Sequence, residues 1–316
     1  VAITNTLPAA RRAPSLAAWA PPVFVLLWST GFIGAKFGLP YAEPFTLLLL
    51  RFGIASALLV GLSLALRAPW PRRPIEVLHI AVSGLLLHAV YIGGVFTAIS
   101  LGMPAGITSL IVGMQPVLTA ILARTLMKER VVARQWLGLL LGLVGVGMVI
   151  GEKLVTSAGA AHAITALGML SATLALLGTT LGTLYQRRFC TGMSLTSGSA
   201  IQYIATSAVM LVLASSFETM RVHWSLPLIA TVAWLVLALS LGAILLLFWL
   251  IRQNAASRVA SLFYLVPPIT AVESFLLFNE RLGLLALAGM LVTVAGVALV
   301  LLRPRAVITE IPSHSG

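Results

Sequence analysis

The sequence predicts an all-α integral membrane protein whose ten transmembrane helices form two inverted five-helix repeats. Three observations carry this. Hydrophobic residues make up 59% of the 316 positions and charged residues only 9%, with a mean hydropathy of +1.06. A soluble domain carries about 25% charged residues, so this chain cannot cover a globular surface with charge. Apolar runs near the ~20 residues that cross hydrocarbon recur along the whole length. Finally, the chain matches itself at a single offset of 151 residues, as from Pro116 to Pro267.

The elements follow in order. Residues 1–20 form a polar, Pro/Ala-rich tail containing Arg11-Arg12. The first apolar run has no small-residue cleavage site, which predicts a retained span rather than a twin-arginine leader. Spans are predicted over 21–39, 44–66, 75–101, 104–126, 131–151, 161–186, 194–217, 225–251, 256–278 and 282–302. Between them fall Pro40, the Pro69/Pro71/Pro74 cluster, Gly102 with Pro104, Gly159, Gly192, Pro227, Gly283 and Pro304, all helix breakers. Two units result, 21–151 and 161–302, with a second tail over 303–316.

The Lys and Arg residues set the orientation. With the N-terminus in the cytoplasm, fifteen of the twenty fall inside, and only Lys36, Lys153, Arg221 and Arg281 outside. Arg51 lies within span two. This positive-inside bias predicts that both tails are cytoplasmic. It also accounts for the net charge of +12 without nucleic acid, because the basic residues sit in short loops.

Several function classes fall away. Cys190 is the single cysteine, and all eight acidic residues are Glu. Asp-dependent triads, Walker-B chemistry and cysteine metal clusters are therefore excluded. No G-x-x-x-x-G-K-[ST] loop is present, so no ATPase engine lies in the chain. The reading is a non-enzyme with no metal and no cofactor. Its partners are the lipid bilayer and a small-molecule substrate, and the choice between monomer and homodimer stays open.

At the 151 offset Glu129-Arg130 matches Glu280-Arg281, Thr119-Ala120 matches Thr270-Ala271, and Gly145-Val146 matches Gly296-Val297. Gly138 falls on Gly289, Ser56-Ala57 on Ser207-Ala208, Gly31 on Gly182, Lys36 on Arg187, and Arg51-Phe52 on Gln202-Tyr203. Each unit holds an odd number of spans, so the second copy enters from the opposite side. Two inverted copies can exchange conformations of similar energy, which is the architecture of alternating access.

Particular segments also resemble a known family. Leu27-Trp28-Ser29-Thr30-Gly31-Phe32 with Lys36, Leu50-Arg51-Phe52, the Glu-Arg step before Gln135-Trp136-Leu137-Gly138, and Asn279-Glu280-Arg281 resemble the drug/metabolite transporter superfamily in its ten-helix EamA-type branch. Within it the chain is most similar to the YddG-like bacterial exporters. The resemblance implies a multi-pass secondary transporter of the bacterial inner membrane that exports amino acids or related metabolites. It also implies a central cavity between the two copies, with spans five and ten outside it. An exporter of drugs, nucleosides or other metabolites is the alternative; a channel or a membrane enzyme fits less well.

Candidate site residues come from cost and depth. A charge near mid-membrane costs roughly 2.5–3.5 kcal/mol on insertion scales. Arg51 and Glu273 lie about 10 Å and 8 Å below the outer ends of their spans at ~1.5 Å per residue, and Lys36 is shallower. Glu273 is expected to pair with Arg51 or Lys36 and to gate or couple transport, or else to form a fixed ion pair. Gln115-Pro116 and Pro267-Pro268 place proline kinks in spans four and nine, where freed carbonyls can line a cavity. Trp28, His88, Tyr91, Gln115, Gln202, Tyr203, Trp249 and Tyr264 are the expected cavity residues, mixing apolar wall with a few polar groups. Packing roles for any one aromatic remain open. Glycine pairs at four-residue spacing (Gly34/Gly38, Gly138/Gly142, Gly178/Gly182) are expected at close helix contacts.

Overall fold

A computed structural model describes residues 16–127, 133–156, 165–244, 246, 250, 262–280 and 283–301. Among these residues six helical stretches are long and apolar enough to cross a membrane: Trp19–Gly38, Pro44–Ala65, Pro74–Ser100, Ala166–Phe189, Leu195–Phe217 and Leu226–Ala243. Shorter apolar helices lie over Ala105–Thr119, Trp136–Val149, Val266–Phe278 and Leu284–Gly296.

The chain opens with α1 (Leu16–Gly38) and α2 (Pro44–Ala65). Helix α1 begins five residues before the expected position 21 and carries Pro21 and Pro22 inside it. Helix α2 starts with Pro44 in its first turn, where a missing N–H costs nothing. The third long helix is α3 (Pro74–Gly84), a π-helical segment (Leu85–Val90) and α4 (Tyr91–Ser100) in direct succession. Two half-helices follow, α5 (Ala105–Val112) and α6 (Gln115–Met127), then α7 (Ala133–Thr156).

Helices α8 (Ala166–Phe189) and α9 (Leu195–Phe217) are followed by α10 (Leu226–Ala233) and a second π-helical segment (Trp234–Ala243). A 3₁₀ turn (Phe263–Leu265) then leads into α11 (Val266–Phe278), and α12 (Leu284–Leu301) ends the described chain. Helix α8 starts at Ala166 rather than at 161, because the Thr165 hydroxyl accepts the Gly168 amide at 3.0 Å as an N-cap. It runs on to Phe189, so Arg187 and Arg188 occupy its last turn, where cations suit the helix dipole.

Elements 151 residues apart pack against one another or exchange neighbours. Helix α2 lies along α9, and α7 along α12. The first π-segment packs on α8 and α9, while the second packs on α1 and α2. Helix α6 contacts α8, and α11 contacts α1. Glycines make these approaches possible. A Cβ at Gly145 would sit 2.4 Å from the Gly289 carbonyl, and one at Gly296 would sit 2.6 Å from the Gly138 carbonyl. Gly34 meets Leu235 of the second π-segment, and Gly178 meets the backbone of Leu86 and Tyr91 at the first. These glycine rows are thus used inside the protomer.

One polar clasp ties the loop after α1 to the loop after α9. Glu218 accepts the Phe45 and Thr46 amides and the Thr46 hydroxyl, each at 2.7 Å, and so caps α2 with a carboxylate. In return Glu43 accepts the Thr219 amide at 2.7 Å and its hydroxyl at 2.8 Å. An antiparallel bridge between Ala42 and Val222 lies beside it.

Candidate functional site

Three groups of polar residues lie along the interhelical seams. The first joins α1 to α11. Helix α11 ends on Asn279, whose left-handed backbone (φ 53°) stops the helix. The turn presents Glu280 to Lys36, and the two form an ion pair with side chains 16% and 32% exposed. The Lys36 ammonium also lies 4.3 Å from the Phe278 ring centroid, and Phe37 and Phe278 pack at 4.9 Å. Farther down the same seam Ser29 donates to Glu273 at 2.8 Å, and the other carboxylate oxygen of Glu273 is buried with no partner among the described residues.

This corrects the expected pairing. Lys36 binds Glu280 rather than Glu273, and Glu273 binds Ser29 rather than Arg51. Equal depth does not imply adjacency, because depth says nothing about which way round its helix a side chain points. The repeat match of Glu129-Arg130 with Glu280-Arg281 marked Glu280, but as an element boundary and not as a partner.

The second group surrounds Arg51 on α2. Arg51 is buried, and its Nε donates to Ser240 Oγ at 3.1 Å. Tyr91 and Tyr203 lie beside it, and its guanidinium carbon sits 5.3 Å from the Phe52 ring centroid. The His88 ring packs edge-on against Tyr203 at 4.7 Å and tilted against Phe52 at 5.6 Å, and its Nδ1 is buried without a hydrogen-bond partner among the described residues. Gln202 is buried next to His88 and donates to Ser83 at 2.9 Å and to Gln186 at 3.1 Å. Trp28 packs against Phe24 at 5.3 Å and Phe263 at 5.1 Å, close to Tyr91.

Gln115 stands apart in a third group and donates to the Thr183 hydroxyl of α8 at 3.0 Å. Trp249 lies outside the described residues. Tyr264 falls in the 3₁₀ turn, and its side chain is not among those described.

The three prolines sit differently from expectation. Pro116 is the second residue of α6, and Pro267 and Pro268 lie in the first turn of α11. Span four is broken at Gly113-Met114, ahead of Pro116, and in span nine a 3₁₀ turn over Phe263–Leu265 precedes Pro267, since a proline without an N–H fits the first turn of a new helix. The first break touches the second half-helix directly: a Cβ on Gly113 would lie 2.7 Å from Pro267. Ser29, Ser83, Gln186, Ser240 and Glu280 were not among the expected site residues. Serines and amides recur throughout an apolar chain, and only the fold brings Ser29 and Ser240 onto charged partners and Ser83 and Gln186 onto Gln202.

Long apolar helices with buried charge between them define a multi-pass α-helical membrane protein. The chain belongs to the EamA-like transporter family, whose profile matches residues 22–151 and again residues 166–302. Among similar proteins is the uncharacterized transporter YvbV of Bacillus subtilis (strain 168), 29% identical over 292 residues covering 89% of this chain and 90% of that one. A probable amino-acid metabolite efflux pump of Escherichia coli (strain K12) is 27% identical over 282 residues, covering 86% and 90%. A crystal structure of a protein matches with a TM-score of 0.62 at 20% identity, over 91% of this chain and 98% of the other, a likeness of fold.

Proposed function

We propose that this transporter has ten spans in two inverted five-helix copies and exports amino acids or related small metabolites from the bacterial cytoplasm by alternating access. The observation that carries the reading is reciprocal packing at the 151-residue offset. Each π-segment rests on the first two helices of the other copy, and the Gly145–Gly289 and Gly138–Gly296 approaches are the same contact seen from both sides. Two copies that each hold the other's third span can trade arrangements, which opens one side of the membrane as the other closes. The doubled family match supports two copies, and the name of the Escherichia coli relative supports amino-acid metabolites as cargo.

In this reading both tails are cytoplasmic, and the Lys36–Glu280 pair with the Phe37–Phe278 contact latches the outer mouth. Glu273, with one free oxygen, is the group that couples this seam to a proton or to cargo. Leu122 stands at its matching position in the first copy, so the carboxylate is specific to one side. The broken span α5–α6 and helix α11 meet at Gly113 and Pro267 and border the cavity in this reading.

Counterflow in proteoliposomes tests this. Purified protein is expected to give saturable, trans-stimulated exchange of at least one labelled amino acid. Folded protein that exchanges a nucleoside but no amino acid would overturn the cargo assignment, and flux without saturation or trans-stimulation would overturn the carrier.

A further inference from the structure

Among the described residues Arg51 is a buried cation with no carboxylate in an ion pair with it. Its exposure is 6%, and its one hydrogen bond among the described residues goes to a neutral hydroxyl, Ser240. The described carboxylates are placed elsewhere. Glu273 serves Ser29, Glu280 serves Lys36, Glu43 and Glu218 serve the loop clasp, Glu152 accepts the Ala286 amide, and Glu76 is exposed at the start of α3. A guanidinium has several N–H donors in a planar fork, and among the described residues only the Nε of this one is hydrogen-bonded. Burying an uncompensated charge is costly, so a fold that keeps one calls for a counter-charge that comes and goes.

The surroundings suit an arriving anion. His88 brings a buried Nδ1 with no partner among the described residues, and Tyr91 brings a half-buried side chain within electrostatic reach of the guanidinium. His88 comes from the first π-segment and Ser240 from the second, and these segments are repeat-related. Such widened turns often mark functional sites, because the wider ring shifts side chains off the regular helical face. At the position matching Arg51 the second copy has Gln202, which is already bonded to Ser83 and Gln186. The charge is therefore a feature of one copy and not a requirement of the fold.

We propose that Arg51, flanked by Tyr91 and His88, is the docking point for the carboxylate of the transported solute, which forms a forked, charge-assisted pair with the guanidinium. A carboxylate matches that fork in two parallel hydrogen bonds. The proposal rests on the exporter reading and names the group by which cargo is held.

The test is ligand-dependent melting of the purified full-length protein in detergent. The probes are leucine, phenylalanine, glutamate and pyruvate, each at matched ionic strength, with leucinamide and phenylalaninamide as analogues lacking the carboxylate. At least one carboxylate should raise the wild-type melting temperature, with an affinity at least about tenfold above that of any amide. Arg51→Gln should abolish that preference. Arg51→Lys, which keeps the charge but loses the fork, should retain it weakened by about tenfold. If no carboxylate protects the wild type, if acid and amide protect equally, or if Arg51→Gln keeps the preference, the subsite is refuted. Should Arg51→Gln not fold, the wild-type comparison and Arg51→Lys still decide. Protection by pyruvate and no amino acid would keep the subsite and sink the amino-acid reading. Equal protection by leucine and leucinamide would do the reverse.

Discussion

Glu273 and Glu218 are both carboxylates bonded to neighbouring helices, yet their surroundings give them different work. Glu218 spends both oxygens on three donors at the start of α2. Removing it orphans two backbone amides at a helix N-terminus, so Glu218→Ala should cost about 1–3 kcal/mol, read as a lower melting temperature. Glu218→Gln, which still accepts hydrogen bonds, should cost less. Glu273 uses one oxygen on Ser29 and leaves the other buried and free. Glu273→Gln should fold with near-wild-type stability but lose the pH dependence of exchange measured in proteoliposomes. An unchanged rate and an unchanged pH profile would remove it from the coupling machinery.

At the scale of elements, the close approach of α7 to α12 makes a prediction with an internal control. Gly145 and Gly147 lie on one helix. A Cβ at Gly145 would collide with the Gly289 carbonyl and the Thr293 hydroxyl, whereas a Cβ at Gly147 meets nothing within 4 Å. Gly145→Ala should therefore destabilise by about 1–3 kcal/mol, while Gly147→Ala should be neutral or stabilise by up to ~1 kcal/mol through helix propensity. Comparative melting of the two variants checks this. Most helices were legible in the sequence, because apolar length and proline punctuation are strong signals; the expected second span, 44–66, differs from α2 by one residue. The π-segments were not legible, since a run such as Leu85–Val90 has the same composition in an α-helix. The break before Pro116 was read as a kink at Pro116, because proline is conspicuous and the turn at Gly113-Met114 is not. The same limit governs the site. The cost of charge in the membrane singled out Lys36, Arg51 and Glu273, but choosing partners needs helix rotation, which apolar sequence barely encodes.

At the scale of the whole molecule, the single cysteine reports orientation without engineering. Cys190 follows the last turn of α8, on the side predicted to face the cytoplasm, with its thiol 3.7 Å from Ser83 Oγ. A membrane-impermeant maleimide should label it in inside-out vesicles and not in intact cells. Burial pushes this thiol above its ordinary range, and the thiolate is the reacting form. Labelling near neutral pH should therefore be slower than for a free thiol and should accelerate as pH rises. Labelling in intact cells would reverse the topology and with it the assignment of Lys36–Glu280 to the outer mouth.

If the two copies alternate, the α1–α11 seam must part in every cycle. Phe37 and Phe278 face each other there with ring centroids 4.9 Å apart. In a Cys190→Ser background, Phe37→Cys with Phe278→Cys would allow the seam to be fastened by oxidation and released by reduction, with counterflow followed throughout. Exchange is expected to stop when the crosslink forms and to return when it is reduced. Exchange that continues undiminished through a fully formed crosslink would contradict alternating access at this seam.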